Sequence, residues 1–300
     1  MNSQVISVEC PLNFDFQECL WFLDRNFDDC MHKADANQVI KVIDIEGQPI
    51  LTSIAFYDHK LQIEVLTGNL KNDDANKLTE FVIDWFDLER NMEPFYRLVK
   101  NDSRLVYMAT AYSGLRLVGI PNLFEAICWA IIGQQINLTF AYKLKRRLVE
   151  RYGSYIHYNG SNYHIFPNSE VLAGLSPGDL SEMQFSRSKS QYLINVAKAF
   201  ANGEISKEKL MALPNLTARQ KVLTNIKGVG IWTANYALMK SLKEQSCIPY
   251  GDAGLLNSLV NHKIIRDKKL PIEIDSFFKD YPGWESYLVF YLWRSLANKQ

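Results

Sequence analysis

The chain predicts an α+β fold: a small antiparallel sheet with a helix in residues 1–100, then a mainly α-helical body in residues 101–300. Three observations carry this. Runs rich in β-branched and aromatic residues fall between short turns near the start. From about Ser103 onward almost every segment has helical spacing. Within that helical part, Gly228 and Gly230 cut one helical pattern into two, as helix, tight turn, helix.

Residues 13–25 read as a helix laid on the sheet. Residues 39–45, 49–57 and 60–67 read as strands of a meander, split by turns at Glu46-Gly47 and Asp58-His59. Residues 72–85 begin the helical remainder. Further helices are expected over 123–133, 138–151, 188–201, 207–213, 218–224, 231–242 and 286–296. Residues 152–166 are polar and broken by glycine, a loop or short hairpin. Neither internal repeats nor low-complexity tracts occur.

Composition excludes several classes. A chain of 300 residues that is 47% hydrophobic can bury a large core, and its length suits two or three domains. No apolar run is long enough for a membrane span, and no charged-then-apolar leader is visible. The net charge is zero, which argues against coating a polyanion by bulk electrostatics. Any nucleic-acid recognition must be local. Cys10, Cys19, Cys30, Cys128 and Cys247 are odd in number and scattered, which suits a reducing cytoplasm. His32, His59, His157, His164 and His262 show no ligand spacing, so no catalytic metal is expected.

The segment Ile226-Lys-Gly-Val-Gly-Ile-Trp-Thr-Ala234 holds the chemistry, together with Asp252 in Pro249-Tyr-Gly-Asp-Ala-Gly254. Glycines allow close backbone approach, so N–H groups opening the second helix can close on a phosphate. Taken alone, such a turn could equally serve only backbone sterics. Asp252 could likewise be a plain N-cap. Trp232, Tyr236 and Met239 fall on one helical stripe, and the last helix supplies Tyr287, Phe290 and Trp293. Stripes of this kind are usually core, and Phe290 is read that way.

These stretches resemble the helix-hairpin-helix base-excision DNA glycosylases, most closely their alkylation-repair branch of the DNA-3-methyladenine glycosylase II type. Asn122–Asn137, with its Gln-containing turn, and Phe185–Tyr192 agree with it. The resemblance is good over about 105–298 and looser before. It implies that Gly228, Val229, Gly230 and Thr233 grip DNA, helped by Gln134, Gln135 and Arg187. It implies Asp252 as the catalytic carboxylate and Trp232, Tyr236, Trp293 and Tyr287 as walls of a pocket for a base flipped from the duplex. A monovalent Na+ or K+ ion could sit on the backbone carbonyls of Thr224, Ile226 and Val229. The cleft would be lined by Gln135, Trp232, Asp252 and Trp293.

Members that also nick the strand carry a lysine where this chain has Trp232, and a tryptophan cannot form an imine. The expectation is therefore a monofunctional enzyme that hydrolyses the N-glycosidic bond of alkylated purines in double-stranded DNA and leaves an abasic site. A purine with other damage, or non-catalytic DNA binding, stays open. No cofactor is expected. An iron–sulfur cluster would need four cysteines near the C-terminus, where only Cys247 follows the hairpin. The protein is expected to be a monomer in the cytoplasm.

Two details depart from that pattern. Gln135 stands where a bulky apolar wedge is common, and Arg294 where a tyrosine is usual. Lys143, Lys145, Arg146 and Arg147 form the densest basic cluster, either a solvated helical face or a DNA contact. Lys189 is a similar candidate, and Lys227 is expected to face solvent or phosphate.

Overall fold

The computed structural model describes residues 5–25, 27–71, 73–268 and 271–297. The N-terminal part runs β1 (Val5–Glu9), α1 (Phe16–Leu23), β2 (Lys33–Ala34), β3 (Gln38–Ile45), β4 (Gln48–Tyr57), β5 (Lys60–Thr67), α2 (Asp74–Phe86) and α3 (Glu93–Lys100). The helical body follows as α4 (Met108–Ala111), α5 (Leu123–Gly133) and α6 (Leu138–Tyr152), a hairpin of β6 (Ser154–Tyr158) and β7 (Ser161–Ile165), then α7 (Ser169–Ala173), α8 (Pro177–Ser181) and α9 (Arg187–Ala201). It closes with α10 (Lys207–Met211), α11 (Leu216–Thr224), α12 (Ile231–Ser241), α13 (Ala253–Asn261), α14 (Pro271–Phe278) and α15 (Glu285–Arg294). Asn72, where a helix is expected to begin, lies outside the described residues.

The expected meander is present, and it is larger than expected. The sheet order is β1-β5-β4-β3-β2, antiparallel throughout. Glu46-Gly47 and Asp58-His59 each have positive φ at both residues, 52° and 82°, then 50° and 59°. That matches the right-handed twist of two-residue hairpin turns. Residues 152–166 resolve as the hairpin: β6 and β7 pair antiparallel, and Tyr163 packs on Val42 and Leu51 of the sheet. One face of the sheet thus meets β7, while its other face joins the main core.

That core is a single contiguous cluster running from the sheet through α1 and α2 to α5, α9, α12 and α15. α5 is apolar all round, with ten of its eleven residues buried, so it forms the centre of the body. Its last turn is capped from outside: Lys189 Nζ on α9 donates to the Ile132 carbonyl at 2.6 Å. This fixes Lys189 as a structural cation. Among the described residues, no helix is long and apolar enough to cross a membrane. The five cysteines are free thiols, and burial pushes that of Cys19 up to about 12.

Candidate active site

The hairpin is built by α11, the Gly228-Val229-Gly230 turn and α12. Gly228 has φ +106°, and an added Cβ would lie 2.2 Å from the Tyr192 ring of α9. Glycine is required there by both conformation and space. Gly230 differs: its φ is −85°, it is exposed, and nothing lies within 4 Å of an added Cβ. No side chain caps the first turn of α12, so its leading N–H groups have no capping partner among the described residues. This corner is shaped for an anion.

Neighbouring residues hold the corner rather than extend it. Gln134 donates to the Gly228 carbonyl at 3.2 Å and to the Thr233 hydroxyl at 2.9 Å, tying α5 to the hairpin. Thr233 is 1% exposed, so its side chain faces the interior. Val229 N–H already donates to the Ile226 carbonyl, and the Val229 side chain is buried. Of the expected contact residues, Gly230, Gln135, Arg187 and Lys227 are exposed. Gln135 has φ +56°, a left-handed turn that projects it between α5 and α6.

Asp252 is both an N-cap and more. Its Oδ1 accepts from Leu255 N at 2.7 Å, opening α13, and from Trp293 Nε1 at 2.9 Å. Oδ2 accepts no hydrogen bond among the described residues. The half-buried carboxylate is therefore held by one oxygen and offers the other. Gly254 gives Trp293 its room, since a Cβ there would stand 3.1 Å from Oδ1 and 3.2 Å from the indole. The loop before Asp252 is anchored to the hairpin by Asn235 of α12. Its amide donates to the Ile248 carbonyl at 2.7 Å and accepts from Gln220 of α11 at 2.6 Å.

Three aromatics stand in a row beside the acid. Trp232 stacks on Tyr236 with centroids 5.7 Å apart at 25°, and Tyr236 lies 6.1 Å from Trp293. The Tyr236 hydroxyl accepts from Trp129 Nε1 at 3.0 Å. Met239 and Phe290 are core. Tyr287 corrects the expectation. It is 3% exposed, and its hydroxyl donates to Asp87 and accepts from Leu117 N. Six residues from Trp293, it faces roughly 120° away around the helix, so it packs on Phe95 and Trp284 instead.

The basic cluster of α6 is structural for the most part. Lys145 is 3% exposed, 3.3 Å from Asp29 and 3.2 Å from Glu125. Burial alone would push Asp29 up, but Lys145, with His32, holds its carboxyl well below the usual range. Arg146 pairs with Asp28 and Glu150, and Arg147 bonds the Met183 carbonyl. Lys143 is exposed. Arg294 turns from the pocket to grip Glu18 of α1, at 2.7 and 3.1 Å.

Lys240, also on α12, is fully buried, and burial lowers its pKa well below normal. Its Nζ bonds the Val118 carbonyl, 4.0 Å from the Phe22 centroid and 4.7 Å from that of Phe290. It lies about 12 Å along the helix from Trp232.

Gly254, Trp129 and Asn235 escape sequence reasoning, although each lies in or beside a stretch singled out there. Their roles depend on partners that the local pattern does not name.

Comparison with known proteins agrees with this geometry. Residues 128–281 match the family described as HhH-GPD superfamily base excision DNA repair protein, and residues 9–127 match the N-terminal domain of 8-oxoguanine DNA glycosylase. A DNA-3-methyladenine glycosylase of Bacillus subtilis is 38% identical over 302 residues, covering 98% of each chain. The fold is similar to a 3-methyladenine DNA glycosylase from Archaeoglobus fulgidus, with TM-score 0.84, 21% identity and 99% of each chain covered. It is also similar to a Clostridium acetobutylicum 8-oxoguanine glycosylase/lyase in complex with double-stranded DNA, with TM-score 0.70, 18% identity, and 92% of this chain and 100% of that chain covered. The hairpin, the aromatic row and its acid thus sit in a chain that belongs to the HhH-GPD superfamily of base excision DNA repair proteins, as a DNA glycosylase.

Proposed function

We propose that the protein excises alkylated purines, of the 3-methyladenine and 7-methylguanine type, from double-stranded DNA by hydrolysis, leaving an abasic site and an intact strand. The observation that carries this reading is Asp252 held through Oδ1 by Leu255 and Trp293, with Oδ2 free beside an aromatic row. As the base departs, positive charge grows on the deoxyribose, and a fixed carboxylate stabilises it or orients water. An alkylated purine is already cationic, so it needs little acid catalysis, and one carboxylate suffices. Stacking on Trp232, Tyr236 and Trp293 favours the cationic base by about 0.5–2 kcal/mol. The names of the similar Bacillus and Archaeoglobus proteins support this substrate class.

Hydrolysis without strand cleavage is supported by the amines. Trp232 occupies the hairpin position, and Lys240 is sealed behind Phe22 and Phe290. The DNA would lie on the Gly230 corner, with Gln135 filling the gap left by the base and Arg187 on the backbone. A Na+ or K+ ion on the carbonyls of Thr224, Ile226 and Val229 suits this turn, because uncharged carbonyl oxygens favour alkali cations. The Ile226 oxygen keeps a second lone pair after accepting from Val229. We take the working form to be a cytoplasmic monomer that needs no other cofactor.

The test is base release from methylated duplex DNA. Asp252→Asn should lower the single-turnover rate by about 10²–10³-fold with circular dichroism unchanged. Wild-type release by that variant would remove the role of the acid. Borohydride should trap no protein–DNA adduct. A second reading, an oxidised purine as substrate, is favoured by the match of residues 9–127 to the 8-oxoguanine glycosylase domain. A panel of oligonucleotides with single defined lesions separates the two.

A further inference from the structure

The turn that carries Asp252 is held at its root by one buried amide. Asn235 of α12 is 2% exposed, with the buried Ala234, Ala237 and Leu238 beside it on the helix. A carbonyl can only accept, so the bond to Ile248 fixes the sense of the amide: Nδ2 faces the Ile248 oxygen at 2.7 Å, and Oδ1 is left for Nε2 of Gln220 at 2.6 Å. Gln220 stands on α11, the first helix of the hairpin. The Ile248 carbonyl also accepts from Tyr250 N–H at 2.9 Å, which occupies its second lone pair. From there the chain has little freedom. On one side Cys247 N–H donates to Ser286 Oγ at 3.1 Å. On the other, Asp252 N–H donates to the Pro249 carbonyl at 3.0 Å, closing a tight turn with φ +83° at Gly251. Fixing the Ile248 carbonyl therefore fixes the backbone of Asp252. A buried amide contributes little net stability, but a fully bonded one selects a single geometry. On α12 it lies between Trp232 and Tyr236, about 100° round from the latter, so the helix that carries two members of the aromatic row also holds the loop of the acid.

We propose that Asn235, oriented by Gln220, is a positioning residue for base excision: the pair sets where the Asp252 carboxylate points. The inference rests on the reading of Asp252 as the acid of that reaction. Oδ1 is tied to Leu255 and Trp293, so a shift of the turn swings Oδ2, the oxygen left to face the deoxyribose. A misplacement of about 1 Å can cost about 10²-fold in rate. Because the relay starts on α11, the acid is fixed relative to the hairpin itself.

The test begins with Asn235→Asp, which keeps the shape of the side chain and sets an oxygen against the Ile248 carbonyl. At about pH 8, its single-turnover release from methylated duplex DNA should be about 10–10²-fold slower than that of the unaltered protein. Affinity for a duplex carrying a non-cleavable abasic analogue should stay nearly constant. Burial raises the pKa of the introduced carboxyl, and once protonated it can again donate to Ile248 and accept from Gln220. Its rate relative to the unaltered protein should therefore recover towards about pH 5.5, whereas that of Asn235→Leu, with no proton to regain, should stay low throughout. Gln220→Glu gives Oδ1 no donor, turns the amide over and should slow release in the same sense, at a half-buried position. Should Asn235→Asp not fold, Gln220→Glu decides by rate and affinity. Release at the unaltered rate by Asn235→Asp at the higher pH would overturn the proposal. So would a loss shared equally with DNA affinity and indifferent to pH, the mark of a purely structural residue. Asp252→Asn separates the two readings. If it keeps full release, the acid reading fails and the inference with it; if it loses release while both Asn235 variants keep theirs, only the inference fails.

Discussion

Two carboxylates in this molecule, Asp252 and Asp29, are handled in opposite ways. Asp29 is enclosed with Lys145 against Glu125, and both its oxygens lie within 3.5 Å of the ammonium. Asp252 gives one oxygen to two donors and keeps the other unbonded. A buried carboxylate fully matched by its surroundings holds a structure together and can do nothing else. One that is half matched, at an open corner, keeps its field for something that arrives.

The comparison breaks most visibly at Lys145. Lys145→Met should strand two carboxylates in the interior and cost about 3–5 kcal/mol in denaturant unfolding. The depressed carboxyl of Asp29 adds a pH signature. Its contribution is present above the unfolded carboxylate value of about 3.9 and lost as pH falls below it, and that acid limb should flatten in the variant. Asp252→Asn should leave unfolding nearly untouched while removing activity, the mirror image.

The hairpin glycines sharpen the contrast on a smaller scale. Gly228→Ala must push against the Tyr192 ring at positive φ, and should destabilise by about 1–3 kcal/mol in thermal unfolding. Trp293→Phe removes the Nε1 donor while keeping the ring, and should slow base release about tenfold with substrate affinity nearly constant. Gly230→Ala meets nothing in the protein, so stability should shift by less than about 0.5 kcal/mol. Its loss should appear only in DNA affinity, measured by fluorescence anisotropy.

Where function is written in consecutive residues, the sequence is legible. The hairpin turn and Asp252 stand in short segments whose spacing already places them at helix starts, and the meander announces itself through its two-residue turns. Long-range partners are another matter. Lys145 reads as part of a surface cluster because Asp29 lies 116 residues away. Tyr287 reads as a pocket wall because Ser286 to Leu292 are all buried, and a helix apolar on every side does not reveal which face meets the cleft. β1, on the far edge of β5, pairs across more than fifty residues and escapes the reading of local runs. Gly254 matters only because Trp293 comes back to it from the other end of the fold.

Arg294 follows Trp293 directly and is clamped to Glu18 on α1 by two hydrogen bonds. The indole that steadies the acid therefore takes its bearing from a helix some 270 residues upstream. The opening helix acts as a remote tensioner: shearing it away would leave hairpin, tryptophan and aspartate all present, yet slacken a strut next to the indole.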